Sequence, residues 1–117
     1  MFWTLTSSPA KILETYVEEL NRTSKVSYHL DQNYPNPFNP STSIRYGLPK
    51  NSYVKIEIID MLGRKVRSLV AEVKQAGYHE ANWDGLDDNS NKVASGVYLY
   101  TMETKGHMET KKLLLIK

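Results

Sequence analysis

The 117-residue sequence predicts a mainly β protein, an antiparallel β-sandwich of about seven strands preceded by one short amphipathic α-helix. Three observations carry this. From Ser41 onward apolar and polar residues alternate with period two, as they do on a half-buried strand. Turn signals built from Gly, Pro, Asn and Asp interrupt the alternation about every ten residues. The composition, 40% hydrophobic and 24% charged, is that of an ordinary globular domain, and the length suits one modest core.

The helix is expected over residues 9–21. Ser8 caps it, Pro9 suits its first position, and Ile12, Leu13, Tyr16, Val17 and Leu20 form one apolar face. Lys11, Glu14, Glu18 and Glu19 read as a solvated face, whereas the apolar stripe needs cover from the following domain, a neighbouring subunit or a parent domain. Residues 22–27 are polar and aperiodic, a linker, so the chain divides into a helix and linker over 1–28 and a β domain over 29–117. Asn21-Arg22-Thr23 matches a glycosylation acceptor, a triplet common by chance.

In residues 34–40 three prolines remove three backbone donors, so this is no central strand. It reads as a rigid polyproline-like lead-in whose Tyr34 and Phe38 close one end of the core, the alternative being a peptide-type ligand for an aromatic groove. Strands follow at 42–48, with Thr42, Ile44, Tyr46 and Leu48 on one face, and at 53–60, with Val54, Ile56 and Ile58 inward. Asp60-Met61-Leu62-Gly63 turns the chain, Gly63 supplying positive φ, and residues 64–70 return with Val66 and Val70 on one face. Residues 71–76 read as a polar connection, and 78–83 as a strand in which His79, Ala81 and Trp83 share a face. Two runs, 96–104 and 108–116, flank Lys105-Gly106-His107 as a closing hairpin, and a further strand is available at 28–31. Leu113-Leu114-Leu115-Ile116 is too apolar to be left in water, so the end of this hairpin is expected to be anchored in the sheet.

Candidate chemistry is sparse. Asp84, Asp87, Asp88, Asn89 and Asn91 offer enough oxygen for a calcium ion, but the spacing lacks the Asp-x-Asp-x-Asn-Gly run and closing Glu of the helical calcium loop. The default for such a stretch is a loop of Asx turns. His29, His79 and His107 stand far apart, with no zinc or iron spacing. Cysteine is absent, which excludes disulfides and thiolate chemistry. There is no nucleophile elbow and no Gly-rich loop before a helix, so the expectation is a protein that is not an enzyme and takes no cofactor.

The fifteen basic residues are scattered among thirteen acidic ones, for a net charge of +2, so no nucleic-acid groove is expected. No segment approaches the roughly 18 apolar residues of a membrane span, and Met1 to Lys11 lacks the positive region and apolar run of a secretory signal peptide. A small sandwich without a chemical constellation is more often a binding, docking or structural module.

Five motifs then carry a resemblance: Asn33-Tyr-Pro-Asn-Pro-Phe-Asn-Pro40, Ile59-Asp-Met-Leu-Gly-Arg-Lys-Val66, Trp83-Asp-Gly85, Ala94-Ser-Gly-Val-Tyr98 and Lys111-Lys-Leu-Leu-Leu-Ile-Lys117. In this order, over residues 29–117, they resemble the type A C-terminal sorting domain of proteins exported by the bacterial type IX secretion system. They are also similar to the Ig-like domain of the flagellar hook-capping protein. Residues 1–28 fall outside the resemblance.

The resemblance implies an Ig-like fold and a non-enzymatic export signal. Cargo crosses the inner membrane behind a signal peptide, and the folded domain is then recognised by an outer-membrane secretion translocon. A sortase-like peptidase at the cell surface removes the domain in many members. Carried over by motif, translocon recognition falls on Gly96, Tyr98, Lys111, Lys112, Leu113, Leu114, Leu115, Ile116 and Lys117, with cleavage upstream within residues 22–33. The implied destination is the cell surface or the medium, by way of the periplasm. The alternative is an Ig-like structural or adhesion subunit of a surface assembly or filament, self-associating through an exposed sheet edge.

Overall fold

A computed structural model describes residues 26–117, and the helix expected at 9–21 lies outside them. The described residues form seven strands: β1 (His29–Leu30), β2 (Thr42–Leu48), β3 (Ser52–Ile59), β4 (Lys65–Lys74), β5 (Gly77–Trp83), β6 (Gly96–Thr104) and β7 (His107–Leu115). They make a three-stranded sheet in the order β1-β2-β5 and a four-stranded sheet in the order β4-β3-β6-β7, with every neighbouring pair antiparallel.

The alternation in the sequence becomes the core directly. Ile44, Tyr46 and Leu48 on β2 and Ala81 and Trp83 on β5 face Val54, Ile56 and Ile58 on β3 and Tyr98, Tyr100 and Met102 on β6, all buried. Each fully buried aliphatic or aromatic side chain contributes about 1.5–3 kcal/mol by leaving water. Trp83 anchors one end, its ring 5.4 Å from that of Phe38 and 5.5 Å from that of Tyr98, while its indole N–H donates to the Leu86 carbonyl at 2.8 Å. Gly47 is needed for what it lacks. A Cβ there would collide with the His29 ring and the Val26 methyl, so both side chains can lie over β2 as they do only because position 47 has no side chain of its own.

Strand β4 departs from the sequence reading twice. It does not stop at residue 70; Ala71 pairs with Lys55, Glu72 with Val54, Val73 with Tyr53 and Lys74 with Ser52. The segment reads as a connection because Ala71, Glu72 and Val73 are all exposed at the edge of the sheet, so no alternation of burial marks them as strand. Two register shifts against β3, between Ile56 and Glu57 and between Ile58 and Ile59, also break the simple Val66/Val70 alternation. Val70 is buried and Val66 only half-buried, while Arg67 is brought opposite Ile58.

Residues 33–40 do not stand off as an extended lead-in. They fold back across both sheets, with single bridges from Tyr34 to Ser43 and from Phe38 to Leu115. Phe38 is buried as expected, but Tyr34 is 80% exposed and closes nothing; the buried residue at that place is Asn33. The Asn33 N–H donates to the Tyr100 hydroxyl at 2.8 Å, and that hydroxyl donates to the Asp31 carbonyl at 2.7 Å. Asn33 Nδ2 donates to Thr42 Oγ1 at 2.9 Å, which in turn donates to the Pro35 carbonyl at 2.8 Å. A buried polar group is tolerated when it is satisfied in this way.

Burial is the larger influence on Tyr100 and pushes its hydroxyl up to about 12, against which the Asn33 N–H acts weakly. An unfolded tyrosine ionises near 10, so this contribution to stability is complete below pH 10 and is lost as the pH rises through about 12. Tyr100→Phe is expected to lower the urea-unfolding free energy by about 1–3 kcal/mol near neutral pH, by stranding the Asn33 N–H and Asp31 carbonyl. The gap between wild type and variant should narrow in the same titration carried above pH 10; a constant gap would show that the phenol is not the group responsible.

Candidate functional site

The residues that the resemblance singles out are separated by up to 21 positions, from Gly96 to Lys117, yet most of them meet. The β6–β7 hairpin turns through Lys105 and Gly106, the latter at φ 80°, and its register then sets Gly96 opposite Leu115, Val97 opposite Leu114 and Tyr98 opposite Leu113. Lys112 lies opposite Leu99 and Lys111 opposite Tyr100, further along the strand. At the other end the Lys117 N–H donates to Ser95 Oγ at 3.1 Å.

Their roles differ by face. Leu113 and Leu115 are buried in the core, Leu114 is half-buried on the opposite face, and Ile116 is 48% exposed. The anchoring expected of this run is therefore present, and it is achieved by two of the four apolar residues. Tyr98 is buried, donates to the Ala94 carbonyl at 2.6 Å and has its hydroxyl pKa raised, mainly by burial and secondarily by Asp60. Lys111 is half-buried with its ammonium 3.9 Å from Glu109, whereas Lys112 and Lys117 are exposed.

Strand β7 is the edge of its sheet, and its outward backbone groups are partly occupied. Gln32 Nε2 donates to the Lys112 carbonyl at 2.7 Å, and the Leu114 N–H donates to Asn36 Oδ1 at 3.0 Å. The Phe38 N–H donates to the Leu114 carbonyl at 3.0 Å, and the Ile116 N–H to the Phe38 carbonyl at 3.1 Å. Gln32 gave no signal in the sequence, and Asn36 only its place in a motif, because each acts through one side-chain amide on a strand some 80 positions away.

The turn at residues 60–64 is set by Asp60. Its Oδ1 accepts the N–H groups of Leu62 and Arg64, both at 2.9 Å, its Oδ2 accepts Arg64 Nε at 2.8 Å, and Gly63 takes φ 87° as expected. The Arg64 N–H is the leading reason that the Asp60 carboxyl sits below the usual range. Met61 and Leu62 are thereby held at the tip, 61% and 79% exposed.

In the loop over residues 84–91 the carboxylates are engaged by the protein itself. Asp84 Oδ1 accepts the Leu86 N–H at 3.1 Å, Asp87 Oδ1 accepts those of Asn89 and Asn91, both at 2.9 Å, and Asp88 Oδ1 accepts that of Ser68 at 3.0 Å. The Ser68 bond is the main cause of the lowered Asp88 pKa, with Lys65 adding to it. Arg67, which the sequence did not single out, reaches Asp84 Oδ1 at 3.4 Å and the carbonyls of Leu86 and Asp87 at 3.3 and 3.4 Å. Among the described residues no three His, Asp or Glu lie close enough to hold a metal ion. His29, His79 and His107 stay apart, beside the rings of Tyr78, Tyr46 and Tyr28 respectively.

A three-plus-four antiparallel sandwich with a tryptophan-centred core is an immunoglobulin-type domain. The FlgD Ig-like domain model matches residues 38–107, and the chain belongs to that family. No curated protein matches the sequence. Among solved structures, FlgD from Xanthomonas campestris is similar at 25% identity and TM-score 0.53, over 81% of this chain and 72% of that one. Dimeric latent PorU from Porphyromonas gingivalis is similar at 24% identity and TM-score 0.58, over 74% of this chain. PorZ of the same organism, an essential surface component of its type IX secretion system, is similar at 20% identity and TM-score 0.51, over 83% of this chain. The chain spans only 9% of PorU and 12% of PorZ, and at these identities the likeness to both is one of fold.

The two faces of β7 should respond differently to truncation. Leu113→Ala is expected to cost about 2–5 kcal/mol, the range for a buried leucine, whereas Ile116→Ala should cost under about 1 kcal/mol. Equilibrium urea unfolding of both variants checks this, and equal losses would contradict the assigned burial.

Proposed function

We propose that residues 29–117 act as a non-enzymatic C-terminal sorting domain, directing an attached cargo through the type IX secretion system to the cell surface or the medium. The observation that carries this reading is the convergence of Gly96, Tyr98 and residues 113–115 on two paired strands at one corner of the sandwich, with Ile116 and Lys117 directly beyond them. A signal recognised after folding needs its parts held at fixed positions, and a β-ladder over a buried core does that. Domains of the same fold in PorU and PorZ support the reading, as do the five sequence motifs. The partners are then an outer-membrane translocon and a sortase-like peptidase, met by way of the periplasm.

A second reading has its own support. The chain belongs to the FlgD Ig-like family, and the FlgD of X. campestris is described in terms of hook capping essential for flagellar assembly. Strand β4 is an edge strand of ten residues, and an Ig-like subunit could join a surface assembly by adding a partner's strand there.

The readings separate in one assay. Residues 22–117, placed behind a signal peptide and a reporter in a bacterium that has the type IX system, should carry the reporter to the surface. Removal of residues 111–117 should leave it in the periplasm. Export unchanged by that removal would end the sorting reading, and concentration-dependent oligomers of the purified chain in light scattering would favour the assembly subunit.

A further inference from the structure

At residues 112–116 a partner can reach β7 by its inner face, its edge or its outer face, and the structure has already used the first two. The inner face is core, with Leu113 and Leu115 buried. The edge over residues 112–116 is held by four hydrogen bonds to Gln32, Asn36 and Phe38. What remains is the outer face, on which Lys112, Leu114 and Ile116 follow one another at period two.

That face is continuous with its neighbours. Leu114 lies opposite Val97, Lys112 opposite Leu99, and Leu99 opposite Ile59 across the next strand. Ile59, Val97, Leu99, Leu114 and Ile116 therefore form one apolar patch on the side of the four-stranded sheet turned away from the core. Val97 and Ile116 are exposed, and the other three are half-buried. Lys112 lies on this face beside Leu99 and Leu114, and among the described residues it forms no ion pair. An apolar centre with a charged margin is the build of a protein-binding surface.

We infer that this outer corner, and not the edge of β7, is where the partner docks, and that the partner is a protein surface whose apolar contact is bordered by a carboxylate facing Lys112. The inference rests on the sorting reading and specifies how the signal is read. Strand addition at residues 112–116 would first have to displace Gln32, Asn36 and Phe38, whereas docking on the outer face leaves them in place. A second copy is a poor occupant: an isologous pair sets patch against patch and brings Lys112 toward its own counterpart.

The test uses the full chain carrying a reporter in a bacterium with the type IX system. Val97→Glu with Ile116→Glu places two charges in the patch, at positions exposed enough to leave folding intact. Lys112→Glu reverses the charge on this face without touching the apolar residues. Thr110→Pro challenges the edge instead: by alternation with Leu114 and Ile116 its N–H points away from β6, so the change removes an edge donor and no ladder bond. Each of the two face variants is expected to reduce surface reporter by about tenfold or more, as loss of central contacts does, while Thr110→Pro stays within about twofold.

Loss of export in Thr110→Pro with the face variants unaffected would overturn the inference, and so would export unaffected in all three. A dimer in light scattering that Val97→Glu with Ile116→Glu dissolves would give the corner to a second copy and refute the proposed partner. Failure of the wild-type chain itself to export the reporter sinks the sorting reading, and the docking surface with it.

Discussion

The hydroxyl of Tyr100 holds two things at once, the carbonyl of Asp31 and the N–H of Asn33, and nearly everything at the β7 side of the sandwich follows from that pair of bonds. They fix where the chain leaves β1 and turns toward the second sheet. Asn33 then positions Thr42 and Pro35, and the segment continues to Phe38, whose ring lies against Trp83 and whose backbone bridges to Leu115. A single buried phenol thus aligns a proline-rich segment that has few backbone donors of its own.

The same segment manages a hazard. A sheet edge presents unpaired backbone groups to any extended chain, and β7 would present apolar residues beside them. Asn36 and Phe38 fill the part of that edge next to the leucine run, and Gln32 takes the carbonyl of Lys112. The prolines suit this role, since a covering segment needs donors on one side only and offers no new edge on the other.

Much of this was legible in the sequence. The inward sets of β2, β3 and β5 follow from strict alternation, the turn at Gly63 from its positive-φ requirement, and the anchored hairpin from four apolar residues in a row. The end of β4 was not legible, because its exposed residues at the sheet edge show no alternation of burial, and its two bulges reset the faces of Val66 and Arg67 without any local cue. Tyr34 was misassigned for a related reason: an aromatic residue in an irregular segment has no period to fix its direction, and here the neighbouring Asn33 turns inward instead. At the candidate site the motifs quoted both the final hairpin and residues 33–40 but not the contact between them, since Gln32 and Asn36 act across the whole length of the domain.

The bridge between Phe38 and Leu115 has a consequence for how the domain is made. The residues it joins are 77 positions apart, so the loop between them is closed only after nearly all of the domain has left the ribosome. Until then Phe38 has no strand to lie on, and the floor beneath Trp83 stays open to water. The order of assembly is thereby constrained, with the proline-rich segment docking only once the seventh strand has joined the sheet.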